Sequence, residues 1–207
     1  MTLINIELKL SSDFLPSDIR AFHSEAERRV GEFVAARPKP VRGFVPSCFE
    51  TVYRALQQIS FRNLAPGDKF CEWGSGFGVA ASLAAMLGFD ACGIEIESDL
   101  CHASRDLAQR FDLPVEFVTG SFIPAGADKL IDRAYAEFDG ELTLDTQSDD
   151  AYEQLGLDIC DFDLIFAYPW PNDAKLTAAI FDKFAASGAL LATYTGNESV
   201  RLQRKRA

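Results

Sequence analysis

The sequence predicts an α/β protein built on a doubly wound, mostly parallel sheet, and three observations predict it. From residue 68 onward, apolar runs of strand length alternate with segments of helical periodicity. Where the first of these strands gives way to a helix, glycine stands at every second position, in C-E-W-G-S-G-F-G over 71–78. At 207 residues and 48% hydrophobic composition, the chain has the size of one sizeable core. It is read as one domain, 1–207, in which 1–43 extend the N-terminus and 44–207 form the core. An acidic insertion is expected at about 123–161.

The elements follow in order. M-T-L-I-N-I-E-L-K-L alternates apolar and polar residues and predicts a strand within 2–10. A helix follows, with Ser17 or Asp18 as its cap, an apolar stripe of Ile19, Phe22, Ala26, Val30 and Phe33, and Pro38 as its stop. Residues 38–46 are a proline-rich connector. Ser47 opens a second helix, with Glu50 at capping-box spacing. D-K-F-C-E-W is a strand, G-V-A-A-S-L-A-A-M-L-G a small-residue helix and D-A-C-G-I-E-I a second core strand. A helix capped by Ser98 leads to the strand P-V-E-F-V-T. Strand–helix–strand units of this length imply right-handed crossovers and parallel pairing.

The next forty residues exceed a plain connection. They hold a helix near 126–137, a strand in G-E-L-T-L-D-T, and a run from Asp132 to Asp163 with eleven acids and one base, Arg133. That run reads either as a solvated rim or as a cation-binding lip around Asp145, Asp149 and Asp150. The strand F-D-L-I-F-A-Y, a helix over roughly 172–187, the strand G-A-L-L-A-T-Y and a short strand in S-V-R-L-Q-R complete the chain.

Charge and cysteine usage restrict the function. A net charge of −11, with one basic cluster at 201–206, argues against a long nucleic-acid substrate and favours a cationic ligand or basic partner. Five cysteines without a C-x-x-C pair, beside two histidines, do not make a zinc site, so no metal is expected. Neither a signal peptide nor an apolar run of membrane-spanning length is evident, so the expected location is cytoplasmic.

The glycine loop has a diagnostic spacing. A dinucleotide fingerprint needs G-x-G-x-x-G, yet the third position counted from Gly74 and Gly76 is Val79, and Gly78 comes one place early. A P-loop needs G-K-S or G-K-T, and there is no lysine. What stands is E-x-G-x-G-x-G after a strand, then G-I-E-I-E at the end of the next strand. In this order the two motifs resemble the class I (seven-strand, Rossmann-like) S-adenosylmethionine-dependent methyltransferases. The resemblance covers residues 44 to about 195. It implies that Gly74, Ser75, Gly76 and Gly78 lie under a phosphate-free cofactor, S-adenosylmethionine, with Glu72 near its amino group. It further implies that Glu95, with Ile96 beside it, accepts hydrogen bonds from the ribose.

The chain departs from the family in two places. Gly120-Ser121-Phe122 stands where the family often has G-D, so the resemblance leaves Ser121 or the backbone to meet the adenine amine and Phe122 to pack on the ring. The family's sheet also closes with an antiparallel hairpin of two strands, whereas little sequence follows 188–194. The shortened C-terminal edge is to be filled by strand 2–10, by the insertion or by a partner chain in a homodimer.

The acceptor site of such a fold lies after its fourth strand, here A-Y-P-W-P over 167–171. Adenine and glutamine methyltransferases carry N-P-P-Y or D-P-P-W there, but Ala167 accepts no hydrogen bond. A weaker resemblance links F-V-P-S-C-F-E-T-V-Y-R-A-L to the small seven-strand protein-lysine methyltransferases. The two resemblances imply methyl transfer to an amine or other nucleophile of a protein or small-molecule acceptor, a protein lysine among the candidates, in an aromatic pocket where Tyr168, Pro169 and Trp170 would be the catalytic wall. The competing reading is a non-catalytic subunit that holds S-adenosylmethionine or S-adenosylhomocysteine; a redox enzyme using NAD ranks third.

Overall fold

The computed structural model describes residues 3–39, 44–137, 142–145 and 149–206. One sheet organises them. Its strands in chain order are β1 (Leu3–Ile6), β2 (Lys69–Trp73), β3 (Asp90–Glu95), β4 (Glu116–Thr119), β5 (Leu164–Ala167), β6 (Leu190–Thr195) and β7 (Ser199–Lys205). Across the sheet they run β1–β7–β6–β5–β2–β3–β4. β4, β3, β2, β5 and β6 pair in parallel, and β7 turns back antiparallel on β6.

The edge question is answered within the chain. β1 pairs antiparallel with β7, Leu3 opposite Lys205 and Ile6 opposite Leu202. Two antiparallel steps make β1 run parallel to β6. The N-terminal strand therefore takes the outer place beside β7, and β7 is not left as an open edge.

The strands are buried on both faces, and their side chains alternate between two cores. On β2 and β5, Phe70, Leu164 and Phe166 enter one core, whereas Cys71, Trp73, Ile165 and Ala167 enter the other. The first core is covered by α1 (Ser17–Ala35), α2 (Phe49–Phe61), α3 (Val79–Met86) and α4 (Ser98–Arg110). The second is covered by α5 (Asp128–Glu137), α6 (Ala151–Leu155) and α7 (Ala174–Phe184). The stripe of Ile19, Phe22, Ala26 and Val30 on α1 is buried as its spacing predicts, and Phe33 is partly buried against the same core.

The helix starts differ from expectation. Pro16, Cys48 and Glu97 occupy the N-cap positions of α1, α2 and α4, and none makes a side-chain cap bond. Ser17 and Ser98 are already inside their helices, and Ser47 falls one residue before the cap. Glu50 bonds forward to Arg54 at 2.6 Å, forming an i,i+4 pair instead of a capping box.

The insertion contributes α5, α6 and a 3₁₀ turn at Ile159–Asp161. Residues 142–145 of the expected G-E-L-T-L-D-T strand form no strand, and 140, 141 and 146 lie outside the described residues, as do 40–43 of the connector. Among the described residues no helix is long and apolar enough to cross a membrane, and no group of three or more Cys, His, Asp or Glu is placed to hold a metal ion.

Candidate functional site

A cavity of about 560 Å³ opens at the C-terminal ends of β2, β3, β5 and β6. This is the crevice where open parallel sheets bind ligands, and the volume lies within the range of small-molecule sites. Its floor is the glycine loop. Gly74, Gly76 and Gly78 have φ of 67°, 53° and 65°, the left-handed region that glycine enters without cost. The three positions serve different ends. A Cβ on Gly74 would meet nothing within 4 Å, one on Gly76 would lie 2.9 Å from the Phe44 ring, and one on Gly78 would lie 2.3 Å from Phe117. Gly74 and Gly76 line the cavity; Gly78 sits behind it and lets α3 pack on the sheet. Gly78, expected from the sequence to lie under the ligand, is not among the residues that line the cavity.

Four of the loop's amides bond inside the protein. Gly74 and Ser75 both donate to the Ile94 carbonyl, at 2.9 and 3.0 Å, and Gly78 donates to Ser75 O at 2.6 Å. Gly76 donates to Oε2 of Glu95 at 2.6 Å. At the start of α3, Ala81 donates to Oε2 of Glu72 at 2.8 Å, and the Ala80 amide faces the same carboxyl. A phosphate cradle needs these donors free. Here a carboxyl from β2 already caps the helix terminus and takes the Ala81 amide a phosphate would need.

Glu72 is 7% exposed, and burial pushes its carboxyl up to about 8 despite the two amides. Near neutral pH it is a protonated acid that a cation would convert to carboxylate. Glu95 ends β3, with Oε1 accepting from Glu97 N at 2.9 Å. Burial raises its pKa as well. Each of its oxygens keeps a further lone pair for a ligand hydroxyl. Ile96 extends the wall beside it.

Ser121 and Phe122 form the next wall. Ser121 Oγ accepts the Ile123 amide at 3.2 Å, and Ser121 N donates to Oδ2 of Asp149 at 2.7 Å. An acid of the insertion thus braces the Gly120–Ser121 turn from outside the cavity. Asp149 also accepts the Ala151 amide at 3.0 Å and does not line the cavity. Asp150 bonds to Gln154 at 2.9 Å. Phe122 stacks on Trp73, centroids 5.0 Å apart and planes at 7°, which fixes an apolar slab at the cavity wall.

The opposite end is formed by residues 166–174. Tyr168 meets Tyr194 of β6 edge to face at 4.7 Å. Pro169 and Trp170 follow, and Trp170 is 41% exposed at the mouth. Thr143, Leu144 and Asp145 of the insertion face this end, as does Asp173. The N-terminal helices close the near side. Phe33, Phe44 and Phe77 form a cluster with centroids 5.0–6.2 Å apart. Arg37 stacks on Phe33 at 3.4 Å and pairs with Asp99 of α4 at 2.6 Å. The cavity thus brings together Glu72, Gly74, Ser75, Gly76, Glu95, Ile96, Ser121, Phe122, Tyr168, Pro169 and Trp170. Sequence reasoning missed Phe44, Trp73, Asp173 and Tyr194. Phe44 and Trp73 stand inside the quoted stretches without a role assigned to them, Tyr194 ends a strand pattern, and Asp173 follows the aromatics of P-W-P-N-D.

Among solved structures, a methyltransferase from Geobacter sulfurreducens superposes with a TM-score of 0.54 at 14% identity, covering 93% of this chain and 92% of that one. The fold is that of the class I S-adenosylmethionine-dependent methyltransferases. Another structure with this fold, an RNA methyltransferase from Salinibacter ruber in complex with S-adenosyl-L-homocysteine, gives a TM-score of 0.50 at 18% identity over 77% of this chain and 92% of that one. In sequence, the ribosomal protein L11 methyltransferase of Thermus thermophilus is 33% identical over 108 residues, 50% of this chain and 42% of the relative. The match therefore spans less than half of that relative's length. No protein-family model matches the chain. Relative to the class I methyltransferase plan described above, this chain keeps seven strands but draws the outermost from its N-terminus.

Proposed function

We propose that the protein is an S-adenosylmethionine-dependent methyltransferase acting on an amine of its acceptor. One observation carries the cofactor reading: a glycine loop at a strand end whose amides, and whose helix terminus, are occupied by Glu72, Glu95 and backbone carbonyls. Such a seat suits a cationic, phosphate-free nucleoside. Glu95 would meet the ribose hydroxyls, the slab of Phe122 on Trp73 would border the base, and Glu72 would face the amino-acid end. The similarity to a Thermus protein methyltransferase over half of this chain supports the reading.

When bound, the cofactor supplies an electrophilic methyl group: the S–C bond breaks as the N–C bond forms, and the amine's surplus proton leaves to solvent. The chain's own residues position and desolvate the acceptor. Tyr168 and Trp170 present aromatic faces that favour an approaching ammonium group, and the net charge of −11 attracts it. A protein lysine side chain has the length and charge for this slot. We further propose that the chain folds as one methyltransferase domain.

Calorimetry with S-adenosylhomocysteine and NAD tests the cofactor, and radiolabelled methyl transfer into lysate fractions tests the reaction. S-adenosylhomocysteine is expected to bind and NAD not to, with Glu95→Ala abolishing the binding. Trp170→Ala is expected to keep the cofactor and lose turnover. Unchanged affinity in Glu95→Ala would sink the mapped site. Binding without label in any fraction would instead favour a cofactor-holding subunit.

A further inference from the structure

We propose that Asp173 is the acceptor-positioning residue of this site, its Oδ2 receiving an N–H of the incoming amine at the end of the cavity formed by residues 168–173. The inference rests on the amine-methyltransferase reading above and adds the group that orients the acceptor.

Ala167 ends β5 without a hydrogen-bonding side chain, so the strand itself offers the acceptor nothing polar. Six residues on, the turn closed by Asp173 N to Trp170 O at 2.9 Å brings an acid back to the same end. Asp173 is 0% exposed, and it lines the cavity. Its Oδ1 accepts the Thr143 amide at 3.0 Å, and the Leu144 amide also faces the carboxyl. Oδ2 is sealed from solvent and has no hydrogen-bond partner. A buried oxygen left unsatisfied is costly and rare in folded proteins. A bound donor relieves that cost, and a cationic donor relieves it most.

The surroundings select the class of donor. Tyr168, Trp170 and Tyr194 line the same end, with Asp145 the other acid there. Aromatic faces and carboxylates suit a primary ammonium group, which carries both charge and N–H donors. Anchoring Thr143 with Oδ1 leaves Oδ2 as the available atom, and it fixes the insertion as one wall of the acceptor slot. The Asp173 backbone is fixed, since its carbonyl accepts both the amide and the hydroxyl of Thr177, at 2.9 and 3.0 Å, and its side chain is held through Oδ1. A side chain so held loses little entropy on binding.

The test is a carbon-13 NMR titration of side-chain carboxyls in the full chain, with and without S-adenosylhomocysteine, using n-butylammonium chloride as probe. Asp173→Asn identifies the Asp173 signal; if that variant fails to fold, Asp173→Glu identifies it instead. The Asp173 carboxyl is expected to shift saturably with millimolar n-butylammonium and not with tetramethylammonium, which has charge but no N–H. In Asp173→Asn, affinity for S-adenosylhomocysteine should stay within about twofold, while affinity for n-butylammonium falls at least about tenfold. An Asp173 signal unmoved by n-butylammonium, or moved equally by tetramethylammonium, overturns the proposal. Because the amine titration is also run without cofactor, failure of S-adenosylhomocysteine to bind counts against the cofactor reading alone.

Discussion

Replacing Glu72 by glutamine tests the electrostatics of the cavity floor. Glutamine keeps an oxygen for the Ala81 amide but cannot ionise. In the folded chain burial holds Glu72 protonated up to about 8, against an ordinary value of 4.5. Within that window the native state binds one proton more than the unfolded state, so stability contributed by this group falls as pH rises. Full traverse of the gap, at 1.36 kcal/mol per pH unit, corresponds to roughly 5 kcal/mol, and the part between pH 5 and pH 9 to roughly 4 kcal/mol. That is a large share of the 5–15 kcal/mol typical of a domain. Urea unfolding of wild type and Glu72→Gln across this range reads the difference directly, because Glu95 and every other titrating group remain in both proteins. The wild type is expected to lose about 4 kcal/mol relative to the variant between pH 5 and pH 9. Curves that stay parallel within about 1 kcal/mol would refute a buried, protonated Glu72.

Two further predictions concern the loop and the edge. Gly78→Ala places a Cβ 2.3 Å from Phe117 at a φ of 65° and should cost about 2–5 kcal/mol in urea unfolding. Gly74→Ala, with φ 67° and nothing within 4 Å, should cost only about 1–2 kcal/mol. Its added methyl should instead weaken S-adenosylhomocysteine binding in calorimetry, and equal losses of stability would contradict the division of roles. Deleting residues 1–9 strips β1 from β7 and should produce concentration-dependent self-association in light scattering. A monomeric truncated chain with unchanged thermal stability would show that β1 does not guard the edge.

The parts legible in the sequence were those fixed by local pattern. Apolar runs of strand length between helical segments located β2 to β6, and the α1 stripe identified its buried face residue by residue. The glycine spacing and the two acids at strand ends, Glu72 and Glu95, located the cavity floor because strand ends and the following turns are neighbours in sequence. Helix caps were less legible: Ser17, Ser47 and Ser98 all have capping chemistry, but each lies a residue away from the cap because packing, not the hydroxyl, sets the first turn. The acceptor end was least legible. Asp173 meets the Thr143 amide only because the insertion folds back, and Asp149 reaches the Ser121 amide across a similar fold-back. No periodicity records such meetings.

The pairing of β1 with β7 also sets an order of events during synthesis. β1 precedes the other strands of the sheet in synthesis, yet the strand it pairs with among the described residues, β7, is the seventh in chain order. Until β7 emerges, β1 is an alternating apolar segment without a template, and contacts of such long sequence separation form slowly. The cavity shares this delay, because Thr193, Tyr194 and Arg201 come from the β6–β7 hairpin. A nascent chain therefore completes its ligand site and protects its sheet edge with the same late segment.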